Sequence, residues 1–284
     1  MELLIGKTAG FCFGVERAVE GARAELKKKK EIFCLGEIVH NNEVIKELEK
    51  QGLKFIDNIN DGKNKVIIRA HGIEKNIYKK AKEKGIELID LTCPKVLKIH
   101  KIVQEYAEKG FYIFLIGKKE HPETVGTVSY CGENVYIIEN SETVDNAIEN
   151  FKSKKTDKVL VICQTTFSLA EYQKIIRNII SKTDDSIEIE IKNTICSATK
   201  LRQEETIELA SKVDAMIIIG GKNSSNTNKL YEISKKITET FIVENKDEIS
   251  FEQMKKYKKV GIMAGASTPK KSVQEVVEIL QTIW

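Results

Sequence analysis

Short β-branched runs alternate with amphipathic helical patterns along the whole chain, and this alternation constrains the fold more than any single motif. EIFCLGEIV (31–39), KVIIRA (65–70), IELIDL (86–91), FYIFLIG (111–117), KVLVIC (158–163), AMIIIGG (215–221) and KVGIMAG (259–265) read as strands, and Leu3, Leu4 and Ile5 form a shorter one. Between them, NEVIKELEKQG (42–52), LAEYQKIIRNII (169–180) and NKLYEISKKI (228–237) place apolar residues at helical spacing. Strands that alternate with helices imply βαβ units and mainly parallel sheets, so the predicted class is α/β.

Three cysteines stand where a strand turns into a helix. Cys12 lies between two phenylalanines in GFCFGVERAVEGA, Cys93 precedes Pro94 in LIDLTCPKV, and Cys196 opens the helical pattern of ICSATKLRQEETIELA. Proline suits the first helical turn, because its missing N–H would have no partner there anyway. The hinges split the 284 residues into units of comparable length, 1–96, 97–193 and 194–284. The strand before Cys12 is free to pair with the last unit instead of the first.

A thiol at a helix N-terminus faces unpaired N–H donors and the positive end of the macrodipole, and the thiolate is the form that binds metals. Three thiolates on one centre leave open one position of a tetrahedral zinc, or one iron of a cubane, which is the pattern of a catalytic site. The other cysteines read differently. Cys34 lies inside a strand and is assigned to the core, Cys131 follows VSY near a turn, and Cys163 ends a strand and is the nearest rival as a ligand.

Polar residues gather after the strands, where open α/β sheets bind their ligands. These are His40 and Asn41, His71, His121 with Glu123, Thr165 and Thr166, Ser224, Ser225 and Asn226, and Ser267 with Thr268. His100, inside a helix, is expected on the surface. GGKNSSNTNKL suits an anion, with glycines for close approach, hydroxyl and amide donors, and a following helix N-terminus; the same Ser224 or Asn226 also suits a simple helix cap. No GxxxxGK[ST] loop is present. Glu123, after Pro122, is the loop acid nominated for proton transfer. A net charge of +4 from scattered lysines fits a small anionic substrate, with no nucleic-acid signature, no bilayer-length apolar run and no signal peptide, and the expected location is the cytoplasm.

GFCFGVERAV, VHNNEV, RAHG, LTCPKV, HPE, QTTFS, ICSAT…RQ, KNSSNTNKL and GAST occur in an order that resembles the IspH/LytB family of 4-hydroxy-3-methylbut-2-enyl diphosphate reductases, over residues 10 to about 270. The resemblance implies three α/β units in pseudo-threefold arrangement around a central 4Fe–4S cluster held by Cys12, Cys93 and Cys196, with one iron open. It implies removal of the allylic hydroxyl of the diphosphate substrate by two electrons and two protons, giving isopentenyl and dimethylallyl diphosphates in the last step of the non-mevalonate isoprenoid pathway. Carried over by motif, Glu123 with Thr165 supplies protons, and His40, His71, Ser224, Ser225, Asn226 and Ser267 hold the diphosphate. His121 assists orientation and charge balance, Thr166 acts by placement, and a ferredoxin or flavodoxin donates electrons. The chain departs from the family pattern at GKTAG, where an Asn-Pro-Arg run is common, and at Ser129, where glycine is usual. Two other activities use the same residues: a three-cysteine zinc hydrolase with Glu123 as base, and a phosphate-binding module whose cysteines are core.

Overall fold

The computed structural model describes residues 2–29 and 31–282. The strands are β1 (Glu2–Ile5), β2 (Ile32–Leu35), β3 (Leu53–Ile56), β4 (Lys65–Ile68), β5 (Glu87–Asp90), β6 (Tyr112–Ile116), β7 (Val135–Ile138), β8 (Lys158–Cys163), β9 (Glu188–Ile191), β10 (Ala215–Ile219), β11 (Glu239–Val243) and β12 (Lys259–Ala264). The helices are α1 (Phe13–Lys28), α2 (Asn42–Lys50), α3 (Lys75–Glu83), α4 (Pro94–Glu108), α5 (Pro122–Val128), α6 (Val144–Lys152), α7 (Leu169–Lys182), α8 (Ser197–Ala210), α9 (Ser225–Ser234), α10 (Phe251–Met254) and α11 (Lys270–Gln281). They build three four-stranded sheets in the orders β1-β12-β10-β11, β3-β2-β4-β5 and β7-β6-β8-β9, with every pairing parallel.

The described residues fall into two compact units. The first draws on the ranges Met1–Val19, Val39–Gln51 and Ser197–Trp284, and the second on Glu20–Ile38 and Gly52–Cys196. In the first unit, β1 pairs with β12, Leu3 opposite Val260 and Ile5 opposite Ile262. Its sheet is covered on both faces. Ile217, Ile219, Val260 and Ile262 pack with Val273, Val276 and Leu280 of α11, while Met216, Ile218 and Met263 pack with Ala210 of α8 and Leu230 of α9. Strands buried on both faces read as unbroken apolar runs, which is why AMIII and KVGIMA lack alternation.

The second unit carries the other two sheets. Tyr112, Phe114 and Ile116 of β6 face α6 and α7, whereas Ile113 and Leu115 face Ile99 and Val103 of α4. Sequence reading finds the six central strands but misses β3, β7, β9 and β11, all sheet edges of four or five residues. An edge strand has one ladder and half-exposed side chains, so its apolar run is short. The expected strand over 31–39 ends at Leu35, since the chain turns at Gly36.

His100 requires a correction. It is 3% exposed, not on the surface, because Val96, Ile99, His100 and Val103 form one buried stripe of α4 at helical spacing. Residues 96, 100 and 103 already carried that signal.

Candidate functional site

In the first unit, the loops after β10 and β12 lie against each other and against the turn at His40. A Cβ on Gly221 would stand 2.9 Å from the His40 carbonyl oxygen, so only glycine allows that approach. Ser267 Oγ donates to the same carbonyl at 3.0 Å, and Thr268 Oγ1 donates to the Ile219 carbonyl at 2.9 Å. Ser224 is the N-cap of α9, its hydroxyl accepting from the Thr227 N–H at 3.3 Å. Asn226, in the first turn, is buried with neither amide atom hydrogen-bonded among the described residues. The Thr227 hydroxyl beside it is buried and, among the described residues, unpartnered as well. Leaving a buried polar group unpaired costs about 1–3 kcal/mol, so this turn suits a partner that the described residues do not supply. A helix N-terminus with spare donors makes an anion the natural one.

In the second unit, α5 starts at Pro122 with His121 as its N-cap. Nδ1 accepts from the Glu123 N–H at 3.2 Å, which leaves Nε2 as the ring's donor position. The His71 ring meets the His121 ring edge-on, 5.5 Å between centroids. Glu123 is 2% exposed. One carboxyl oxygen accepts from the Thr165 N–H at 2.7 Å, the other from the Thr165 hydroxyl at 2.6 Å. Burial pushes its pKa up to about 7, against the opposing pull of the two Thr165 hydrogen bonds. Behind it, the space bounded by Ile99, Leu115, Thr127 and Cys163 leaves no room for a water molecule. A carboxyl poised near neutrality in a dry setting is suited to proton transfer.

Gln164, which the sequence reading passed over, organises this corner. Its Oε1 accepts from the Lys118 N–H at 3.0 Å, and its Nε2 donates to Thr166 Oγ1 at 2.9 Å, tying the loop before α5 to the loop after β8. A glutamine closing the apolar run KVLVIC was the available signal.

The six thiols sort into two classes. Cys34, Cys131 and Cys163 are buried; desolvation pushes the first two up to about 12 and Cys163 well above its ordinary value, so they keep their protons. Cys12, Cys93 and Cys196 are half-buried and in no disulfide. Each precedes a helix, and each donates its N–H to a carbonyl in a loop that carries site residues. Cys12 bonds to Ala266, next to Ser267, within the first unit. In the second, Cys93 bonds to Ala70, next to His71, and Cys196 to Thr165 itself, all at 3.0 Å. A half-buried thiol at a helix N-terminus is the kind of donor that an iron–sulfur cluster takes; a protonated core thiol is not.

Residues 3–281 match the family model described as LytB protein. This chain belongs to the LytB family. The LytB relatives include 4-hydroxy-3-methylbut-2-enyl diphosphate reductase of Clostridioides difficile, 42% identical over the full length of both proteins. The enzyme of that name from Aquifex aeolicus is 37% identical over 100% of this chain and 97% of its own. A solved LytB structure, the E-1-hydroxy-2-methyl-but-2-enyl-4-diphosphate reductase from Plasmodium falciparum, superposes with a TM-score of 0.90 at 33% identity, covering 98% of this chain and 87% of that one. The fold is thus α/β with three four-stranded parallel sheets, and the strand–helix alternation implied its parallel α/β class. Among the described residues, no helix is long and apolar enough to cross a membrane.

Proposed function

We infer that the chain is a 4-hydroxy-3-methylbut-2-enyl diphosphate reductase, the terminal enzyme of the non-mevalonate isoprenoid pathway. The reaction breaks the allylic C–O bond with two electrons and two protons. The oxygen leaves as water, and a hydrogen is added at either end of the allyl system, giving isopentenyl or dimethylallyl diphosphate. The observation that carries this reading is the sorting of the thiols: the accessible three are the hinge cysteines, and the remaining three are core.

Cys12, Cys93 and Cys196 are assigned as thiolate ligands of a 4Fe–4S cluster with one iron free of protein ligands. When bound, that cluster supplies reducing electrons and a Lewis-acidic iron. In the first unit, the α9 N-terminus receives the diphosphate, with Ser224, Ser225 and Asn226 as donors and His40 and Ser267 beside them. In the second, His71 and His121 turn N–H groups toward the anionic substrate, and His121 balances its charge. Glu123 is the acid. Its proton goes to the departing hydroxyl oxygen, and Thr165 steadies the carboxylate left behind through its N–H and its hydroxyl. Thr166, held by Gln164, keeps that loop in place. A small redox protein, a ferredoxin or flavodoxin, supplies the electrons, and a reducing cytoplasm is the compartment that keeps such thiols available.

The deciding experiment is anaerobic purification, followed by iron and sulfide analysis and an assay on the allylic diphosphate with a chemical reductant. Brown protein with near-stoichiometric iron and sulfide, turning over the substrate, is expected. Colourless zinc protein that hydrolyses phosphate esters would replace this reading with a hydrolase.

A further inference from the structure

His100 sits in the second unit, on the buried face of α4, seven positions after Cys93 in a helix that starts at Pro94. The ring is 3% exposed, and neither nitrogen has a hydrogen-bond partner among the described residues. Three residues close on it. Gly72, which follows His71, has φ +77°, and a Cβ there would come within 2.9 Å of the imidazole Cε1. A Cβ on Gly126 of α5 would stand 3.7 Å from Nε2. Tyr130, just past α5, stacks on the ring with 4.3 Å between centroids and 18° between planes. The imidazole therefore fills the gap between the His71 turn and the helix that bears His121 at its N-cap and Glu123 in its first turn.

A second link joins the same two segments. The Lys75 N–H donates to Ser129 Oγ at 2.8 Å, and that hydroxyl donates to the Gly126 carbonyl at 2.6 Å. Glu74, the N-cap of α3, makes no capping bond with its own side chain, so Ser129 supplies that acceptor from a distant part of the sequence.

We propose that His100 is a positioning residue for the reaction: its flat ring sets the separation of the His71 turn from α5, and with it the placement of His71, His121 and Glu123. This rests on the reductase reading above. A close-packed interior transmits the loss of a spacer to the groups leaning on it. The imidazole Cε1 lies close against Gly72, where a branched side chain of similar volume would meet the backbone. Burial pushes the His100 pKa down to about 4, so the ring carries no charge at neutral pH and demands no counter-ion in this gap.

The test compares His100→Ala, His100→Leu and His100→Gln in anaerobically purified holoenzyme at a temperature well below each melting point. His100→Ala should lower kcat about tenfold, as expected when reacting groups shift by a fraction of an ångström, and raise KM, with iron and sulfide content unchanged. His100→Gln, which keeps a flat group of similar size, should recover most of both. Crystal structures should show the His71 and His121 rings displaced from their edge-on packing in His100→Ala and still edge-on in His100→Gln. Should His100→Ala fail to fold, His100→Leu decides: it fills the space with a branched group and should still lower kcat. Wild-type kcat and KM in His100→Ala or in His100→Leu, with only the melting point lowered, would overturn the proposal. Undisplaced rings in His100→Ala would overturn it too. Absence of reductase activity in wild-type holoenzyme would instead refute the function, and the crystallographic comparison would still judge the spacing role.

Discussion

Asn226 in the first unit and Glu123 in the second are both polar, almost fully buried and placed in the first turn of a helix that follows a strand, yet their hydrogen bonding is opposite. Asn226 has no partner for either amide atom among the described residues, whereas Glu123 has both oxygens engaged by Thr165. The difference separates two ways of preparing a site. An unpaired amide lowers stability until a ligand arrives, so the ligand gains what the fold gave up. A paired acid is already set in place, and what its surroundings tune is the pH at which it lets its proton go.

The largest break in this comparison should come from Glu123→Gln. The amide keeps the shape but has no acid proton to give, so single-turnover reduction should fall by about 10²-fold or more, with iron content and diphosphate affinity retained. Turnover near the wild-type rate would remove Glu123 from the proton route. The same substitution should alter the pH dependence of stability. A carboxyl whose folded pKa is raised to about 7 binds its proton more tightly folded than unfolded. Its favourable contribution is complete below the ordinary carboxylate range and is lost as pH rises through about 7, by up to roughly 3 kcal/mol. Glu123→Gln should flatten that loss in denaturant titrations; an unchanged slope would mean that Glu123 is not the group responsible. His100 acts with the opposite sign. Its lowered pKa removes stability as pH falls from about 6.5 toward 4, and this acid-side loss should stand out once Glu123 no longer masks it.

Asn226→Leu should do the reverse of a usual core lesion. Diphosphate affinity, read by calorimetry with inorganic diphosphate, should drop about tenfold, while the ligand-free melting point holds or rises because an unpaired buried amide is gone. A lowered melting point with unchanged affinity would show that the amide serves the fold alone. Thr165→Val is a subtler change. Losing the hydroxyl that favours the carboxylate should move Glu123 further up, shifting the alkaline limb of the kcat profile to higher pH. An unmoved limb would show that the hydroxyl does not tune this acid. The smallest effect belongs to Ser224→Ala. Removing the N-cap of α9 should cost about 1 kcal/mol of stability, and the accompanying fall in diphosphate affinity should be less than that of Asn226→Leu. A larger fall would make Ser224 the principal donor.

How much of this was legible beforehand depended on the range of the interaction. The central strands β6, β8, β10 and β12 stood out, because burial on both faces leaves an unbroken apolar run such as YIFLI or AMIII. The edge strands EIEI and VYII did not, because their partners lie many residues away and only pairing makes them strands. The hinge cysteines were readable from the strand and helix signals on either side of each. That Cys163 is a core thiol was not: a strand end looks alike in sequence whether it meets solvent or the packed Phe114 and Tyr172. His100 lay between these cases, its buried stripe visible in the spacing from Val96 but its neighbours Gly72 and Tyr130 beyond local reach.

By itself, then, the sequence determined the alternation of strands and helices, the parallel sheets, the three hinge thiols and the set of polar residues beyond the strands, since each follows from periodicity and turn chemistry within a few residues. Only the tertiary structure decided which thiols are sealed in, that β1 completes the sheet of β12, that Asn226 is left without a partner among the described residues and that Glu123 titrates near neutrality. Those properties are set by desolvation and by contacts between distant segments, such as Thr165 with Glu123, 42 positions apart, and no local pattern encodes them.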